Sequence, residues 1–157
     1  MVIVRAEPGD HDDIRTLFYA GVDEGQVRDN DTGADVDNLE EGYFSDEDAS
    51  CFWVARINDV IVGMIGVQLT SDNTAEIRRL RVAEGFRRRG IGTRLVEQAL
   101  RFCQERSYLK VILDVRMDRV PAISLFEKFG FKLSRSRDIN DRRMLDFYMD
   151  LYSEPGT

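Results

Sequence analysis

Hydrophobic positions along the chain come in two forms: apolar runs of strand length, and stripes at three- and four-residue spacing that mark helices. "VIVRAEP" opens as a short strand closed by Pro8 and Gly9. Asp10 is placed to cap a helix that carries Ile14, Leu17, Phe18 and Gly21 on one face. "CFWVARINDVIVGMIGVQL" predicts a hairpin that turns at Asn58-Asp59, and Gly63 and Gly66 in its second strand signal bulges or close backbone approach. After the turn "SDN" comes "TAEIRRLRV", a more polar strand. Strict alternation would point Ile77, Arg79 and Arg81 one way and Glu76, Arg78, Leu80 and Val82 the other.

Ile91, Leu95, Ala99, Phe102 and Cys103 form the next helical stripe, with Glu97 and Arg101 four residues apart on its outer face. "KVILDV" is a compact buried strand. Pro121 suits the first position of a further helix with Ala122, Leu125, Phe126 and Phe129 inside, and Gly130 suits the position just past its end. Two last strands, about Phe131 to Arg137 and Met144 to Leu151, meet at a polar turn near Asn140-Asp141. Between the first helix and the hairpin the chain is polar and irregular, except for a short helix expected around Asp35 to Tyr43. The order of elements predicts a mixed α/β class with a largely antiparallel first half. No repeat, low-complexity tract or linker divides the chain, so residues 1–157 are expected to form one domain.

Composition changes this picture mainly through charge. The formal net charge is -7, but the segment from Asp23 to Asp48 holds eleven acids against the single base Arg28. The other 18 acids and 21 bases make the remaining body slightly basic. Such an acidic face argues against nucleic acid as a partner, as does the lack of aromatics interleaved with the basic runs. Cys51 and Cys103 both sit in apolar patterns, which predicts buried reduced thiols rather than a bridge. A single histidine, His11, offers no His-rich metal site, and no metal is expected. With neither a leader pattern nor a membrane-length apolar run, a cytoplasmic protein without membrane contact is expected.

The most informative stretch is "FRRRGIGTRL", Phe86 to Leu95. It places three arginines and two glycines between a strand and a helix, where unpaired N–H groups and the positive end of the helix dipole attract anions. A Walker loop is ruled out because Thr93 and Arg94, not a lysine, follow Gly92; a dinucleotide fingerprint is ruled out because Leu95 stands where its third glycine would be.

The pattern that remains, Arg-x-x-Gly-x-Gly at Arg87, Gly90 and Gly92, resembles the coenzyme A pyrophosphate loop of the GNAT superfamily of acyl-CoA-dependent N-acyltransferases. "VILDV" and the Gly-Phe end of "AISLFEKFGF" strengthen the likeness, which is strong over about Thr74 to Phe131. The resemblance implies a central, mostly antiparallel sheet of six to seven strands flanked by about four helices. It also implies acetyl-CoA as co-substrate, held by the N–H groups of Arg88, Arg89, Gly90, Ile91, Gly92 and Thr93, with Arg87 adding charge. The backbones of Leu80, Arg81 and Val82 would pair with the pantetheine arm. The segment at about 23–50 would shape the acceptor site.

Attack of an amine on a thioester needs the neutral amine, so a base is useful, and the developing oxyanion needs an N–H donor. By resemblance that donor is the backbone near Leu80 or Arg81. Glu76 matches the catalytic glutamate of histone-type members, and Asp114 matches that of the ribosomal-protein amino-terminal enzymes. An ion pair with a neighbouring arginine is an equally good expectation for Glu76, and a purely structural hydrogen-bonded carboxylate is the better one for Asp114. The chain departs from the family at Phe126, where many members carry a tyrosine as general acid, and at Arg119, which replaces a frequent asparagine that contacts the coenzyme. Tyr148 or a water is the alternative proton donor, unless the thiolate leaves unassisted. The acidic segment would favour a cationic acceptor, such as a polyamine, a basic peptide or an aminoglycoside-like amine; a solvated loop is the plainer reading. Two functions follow: an N-acetyltransferase acting by direct transfer to a small-molecule or peptide amine, or a non-catalytic coenzyme-A-binding sensor. Neither needs more than a monomer or homodimer.

Overall fold

A computed structural model describes residues 1–23, 33–44, 46, 49–139 and 141–151. Glu24, Arg28, Asp29, Asp31, Glu47, Asp48 and Asn140 lie outside the described residues, so much of the acidic run does too.

Seven strands make one mixed sheet in the order β1-β2-β3-β4-β5-β7-β6. They are β1 Val2–Arg5, β2 Cys51–Ile57, β3 Val60–Ser71, β4 Thr74–Val82, β5 Lys110–Arg116, β6 Lys132–Ile139 and β7 Arg142–Asp150. The helices are α1 His11–Asp23, α2 Ala34–Asp37, α3 Ile91–Glu105 and α4 Val120–Lys128, with a 3-10 turn at Pro8–Asp10 and a π-helical turn at Glu40–Phe44. All strand pairs are antiparallel except β4 with β5. The expected mixed class and GNAT-like sheet are borne out. Asn58 and Asp59 both take positive φ, 51° and 65°, as a tight hairpin turn between β2 and β3 requires.

Two apolar layers cover the sheet. On one face the α3 stripe, Ile91, Leu95, Ala99, Phe102 and Cys103, packs with Trp53, Ile65, Val111, Leu113 and Phe126. On the other, Ile14, Leu17 and Phe18 of α1 join Val36, Leu39 and Tyr43 against Phe52, Val54 and Met64. The β3 glycines serve close approach: a Cβ at Gly63 would meet Leu95 at 3.0 Å, and one at Gly66 would meet Tyr43 at 2.8 Å.

Two local expectations differ from the structure. Asp10 does not cap α1; its carboxylate accepts the Glu7 N–H at 2.9 Å and pairs with Arg56. An ion pair reaching across from β2 and a 3-10 turn ahead of the helix redirect it. The second difference lies in β4, where strict alternation fails. Met64 to Gly66 of β3 spans the same ladder as Arg81 to Arg78 of β4, so β4 carries one extra residue, and Arg79 takes φ 62°. Beyond this bulge the faces exchange. Ile77, Leu80 and Val82 pack with the α3 layer, while Arg79 and Arg81 reach α2 and α1.

Candidate active site

β4 and β5 run parallel but pair only at Thr74–Lys110, Ala75–Val111 and Glu76–Ile112. Past Glu76 they diverge, and a cleft opens between them, lined by Glu76 to Arg81 from β4, Leu113 to Arg116 from β5, and Arg119 and Phe126 from α4's end of the sheet. A second cavity, on the β6–β7 side, is lined by Lys110, Arg135, Arg137, Asp146 and Tyr148. Glu76, Leu113 and Asp114 line both. The two acids singled out from sequence therefore stand together at the junction of the cavities.

Their partners are arginines. Glu76 Oε1 lies 3.3 Å from Arg78 Nε, the strand-neighbour ion pair expected as one alternative. Asp114 accepts from Arg137 Nη2 at 3.3 Å, and the same guanidinium is held by Asp146 at 2.7 and 2.8 Å. Burial pushes the Asp146 carboxyl up, but hydrogen bonds from Arg137 and Arg135 outweigh it and leave the group below the ordinary carboxylate range.

The loop between β4 and α3 carries three positive φ angles, at Gly85 (89°), Arg88 (65°) and Gly90 (77°). Gly90 is the residue before the first turn of α3, and no side chain caps the helix there. A Cβ at Gly90 would meet no atom within 4 Å, so the demand for glycine is conformational rather than steric. Arg94 N–H already donates to Gly90 O at 3.2 Å, whereas the amides of Ile91, Gly92 and Thr93 precede any intrahelical partner. Gly92 lets α3 sit against α4, since a Cβ would come 3.3 Å from Leu125. Arg87 Nε donates to Val82 O at 3.2 Å, and the Arg89 guanidinium lies 5.2 Å from the centre of the Phe86 ring. Uncapped amides, a helix N-terminus and three basic side chains together fit a pyrophosphate.

Phe126 is buried, forms an edge-to-face pair with Phe131 at 5.5 Å, and still borders the cleft. Arg119 occupies the N-cap position of α4. Tyr148 sits opposite Ile112 in the β5–β7 ladder and lines the second cavity with both acids. The Arg81 side chain is buried against α1, donating to Leu17 O at 3.4 Å, and Gly21 leaves it room: a Cβ there would lie 2.7 Å from its Nε. Cys51 and Cys103 are both buried and form no disulfide. Burial pushes the Cys103 thiol up to about 12, which removes it as a nucleophile near neutral pH.

Sequence reasoning did not find the cluster above the bulge. Arg79 donates to both oxygens of Asp35, Nε to Oδ2 at 3.1 Å and Nη2 to Oδ1 at 2.5 Å. Tyr43 Oη donates to Asp35 Oδ2 at 2.5 Å, and Phe18 lies under the Arg79 guanidinium, 5.0 Å from ring centre to Cζ. Burial raises the Asp35 carboxyl, but the hydrogen bonds and charge of Arg79, with Tyr43 and Arg78, leave it below its ordinary range. Burial, then the adjacent Asp35 carboxylate, pushes the Tyr43 hydroxyl well above 10. Nothing in the sequence separates Asp35 from the acids around it.

A seven-stranded sheet that opens between two parallel strands, beside an anion-receptive helix N-terminus, defines the class of protein. The acetyltransferase (GNAT) family model matches residues 15–131, and the chain belongs to that family. A probable N-acetyltransferase camello of Xenopus tropicalis is 36% identical over 103 residues, covering 64% of this chain and 47% of that protein. The N-acetylaspartate synthetase of Danio rerio is 34% identical over 93 residues, covering 59% of this chain and 33% of that protein. The chain thus spans about half the length, or less, of these curated relatives. Among solved structures, an aminoglycoside 6'-N-acetyltransferase complexed with coenzyme A superposes with a TM-score of 0.78 at 19% identity, over 99% of both chains, a likeness of fold. Among the described residues no helix is long and apolar enough to cross a membrane, and no group of three His, Cys, Asp or Glu side chains gathers as a metal site.

Proposed function

We propose that this protein transfers an acetyl group from acetyl-CoA to a primary amine by direct attack in a ternary complex, in the cytoplasm. The observation that carries the reading is the uncapped start of α3 under a basic loop, in a sheet whose β4–β5 cleft is lined by two carboxylates, Glu76 and Asp114. Bound acetyl-CoA would supply the acyl thioester. The amides of Arg88 to Thr93 hold its pyrophosphate, assisted by the charge of Arg87, Arg88 and Arg89. The Leu80, Arg81 and Val82 backbones meet the pantetheine arm on the side of β4 that makes no ladder with β5 past Glu76. Arg119 and Phe126 border the same arm.

Glu76 or Asp114 takes the proton that the attacking ammonium must lose, directly or through a water, since an alkylamine has a pKa near 10.4. The N–H of Leu80 or Arg81 stabilises the negative charge developing on the carbonyl oxygen. Phe126 has no proton to give the departing thiolate, so Tyr148 or a water donates it, or it leaves as the anion at its pKa of about 8.5.

For the acceptor, a cationic amine is supported by the charge of the acidic segment. Two of its described acids, however, are already matched: Asp35 by Arg79, and Asp37 by Arg15. A second reading, an amine that itself bears a carboxylate, is supported by the number of arginines along the cleft, Arg78, Arg79, Arg81, Arg116 and Arg119, although Arg78 and Arg79 are matched by Asp35 and Arg116 by Asp118. The relatives named N-acetylaspartate synthetase support the same direction. Thiol release at saturating acetyl-CoA, measured over polyamines, basic peptides, aminoglycosides and acidic amino acids, tests both readings. Release on polyamines and basic peptides alone would select the first, and release on acidic amino acids alone the second. Coenzyme binding without release on any amine would favour the sensor that Phe126 and Arg119 suggest.

A further inference from the structure

Asp35 stands in the segment whose composition points to a cationic acceptor, yet its carboxylate is turned toward β4 and spent on Arg79, Tyr43 and Arg78. Arg79 is the residue that carries the β4 bulge, at a φ of 62° that a residue with a Cβ adopts only when its surroundings enforce it. Those surroundings come from α1 and α2: the Phe18 ring beneath the guanidinium and Asp35 gripping it with both oxygens. The side chains of both partners are nearly buried, 7% and 9% exposed, so the contact is not the weak surface kind. α2 in turn is four residues long, far below what stands by local hydrogen bonding alone, and no side chain caps it at Gly33. It therefore depends on tertiary contacts: the buried Val36, with His11 Nε2 3.0 Å from its carbonyl oxygen, the exposed pair of Asp37 with Arg15, and the nearly buried Asp35.

We propose that Asp35 is a positioning residue, which through Arg79 locks the β4 bulge and with it the Leu80 and Arg81 amides, so that the acceptor-side wall and the acyl-binding strand are assembled as one unit. The proposal rests on the acetyltransferase reading above for the role of those amides. Asp35 need not touch either substrate. Its carboxylate sets where the chain turns at Arg79, and the next two peptide groups follow.

Asp35→Asn keeps the shape and removes the charge. Arg79→Gly keeps the positive φ, which glycine adopts without strain, and removes the grip. Each variant and the double variant would be compared with wild type by amide hydrogen exchange, by acetyl-CoA titration and by steady-state kinetics. Exchange at residues 78–82 should rise roughly tenfold or more in either single variant, with β2 and β7 unchanged, because local opening reports local anchoring. The double variant should exchange no faster than the faster single one, as expected for two halves of one contact. The kcat should fall on the order of 10- to 100-fold, the scale of misplacement at a reacting centre, and acetyl-CoA affinity by a smaller factor, since the α3 loop that holds the pyrophosphate is untouched while Leu80 to Val82 loosen on the pantetheine arm. Tyr43→Phe, which removes only the hydroxyl on Asp35, gives a milder change in the same direction should Asp35→Asn fold poorly. Unchanged exchange at 78–82, or single effects that simply add, would overturn the proposal. Wild type without turnover on any amine would overturn the acetyltransferase reading instead, and the exchange data would still decide the clamp.

Discussion

The two sides of the cleft are built by different means. On the side proposed for the coenzyme, the loop from Gly85 to Gly90 and the start of α3 offer mainly backbone groups, three positive φ angles and a row of uncapped amides within one short stretch, flanked by arginines close in sequence. On the side proposed for the acceptor, the wall is made by side chains that meet from distant positions in the chain, Asp35 with Arg79 and Asp114 with Arg137. A backbone site is written in a local motif and tolerates little change at a few residues. A side-chain site is written in pairings, and its cost of change is spread over both partners.

The acceptor side breaks most sharply at its acids. If Glu76 is the base, Glu76→Gln should lower kcat by about 100- to 10,000-fold, the range for losing a positioned general base. The loss should be larger at low pH than at high pH, where unprotonated amine becomes plentiful, and Asp114→Asn should change kcat by less than about tenfold. The opposite ranking in parallel pH–rate profiles would give the role to Asp114, and near-equal small effects would leave the proton to water.

The coenzyme side is sharpened by Gly90→Arg. A Cβ at φ 77° is strained, and a long side chain there would cover the amides. Loss of one charge-assisted hydrogen bond, about 1.5–3 kcal/mol, predicts roughly 10- to 100-fold weaker acetyl-CoA binding by calorimetry. An unchanged affinity would refute the assignment of the loop.

Acid should loosen the acceptor side first. The Asp35 and Asp146 carboxyls both sit below their ordinary range in the fold. The stability they contribute is complete above the unfolded value, near 4, and is lost as pH falls through the lower folded values. Asp146→Asn should therefore flatten the drop in Tm below about pH 4. An unaltered slope in thermal scans would mean that the Arg137 and Arg135 contacts contribute nothing.

The smallest effect is expected at Phe126→Tyr. With a leaving thiol of pKa about 8.5, an added hydroxyl should raise kcat by only about two- to threefold. A rise beyond about 100-fold would show that a missing general acid limits this protein.

The same contrast explains what could be read from the sequence. The helical stripes, the Asn58-Asp59 turn and the loop at Gly90 depend on residues within one or two turns of each other, and all appear where their patterns place them. The bulge at Arg79 does not: one extra residue exchanges the faces of β4, and strict alternation has no signal for it. Nor could the sequence tell Asp35 from its acidic neighbours, because its partner lies 44 residues away. Glu76 and Asp114 were legible only through family likeness; the structure adds that they share one junction and that each already has an arginine.

The most direct test of the account is calorimetric titration of the protein with acetyl-CoA in phosphate-free buffer, followed in the same preparation by thiol release on adding amines. Saturable one-site binding, then release on one class of amine, is the expected result. Absence of binding would contradict the reading of the α3 loop and, with it, the function built on that loop.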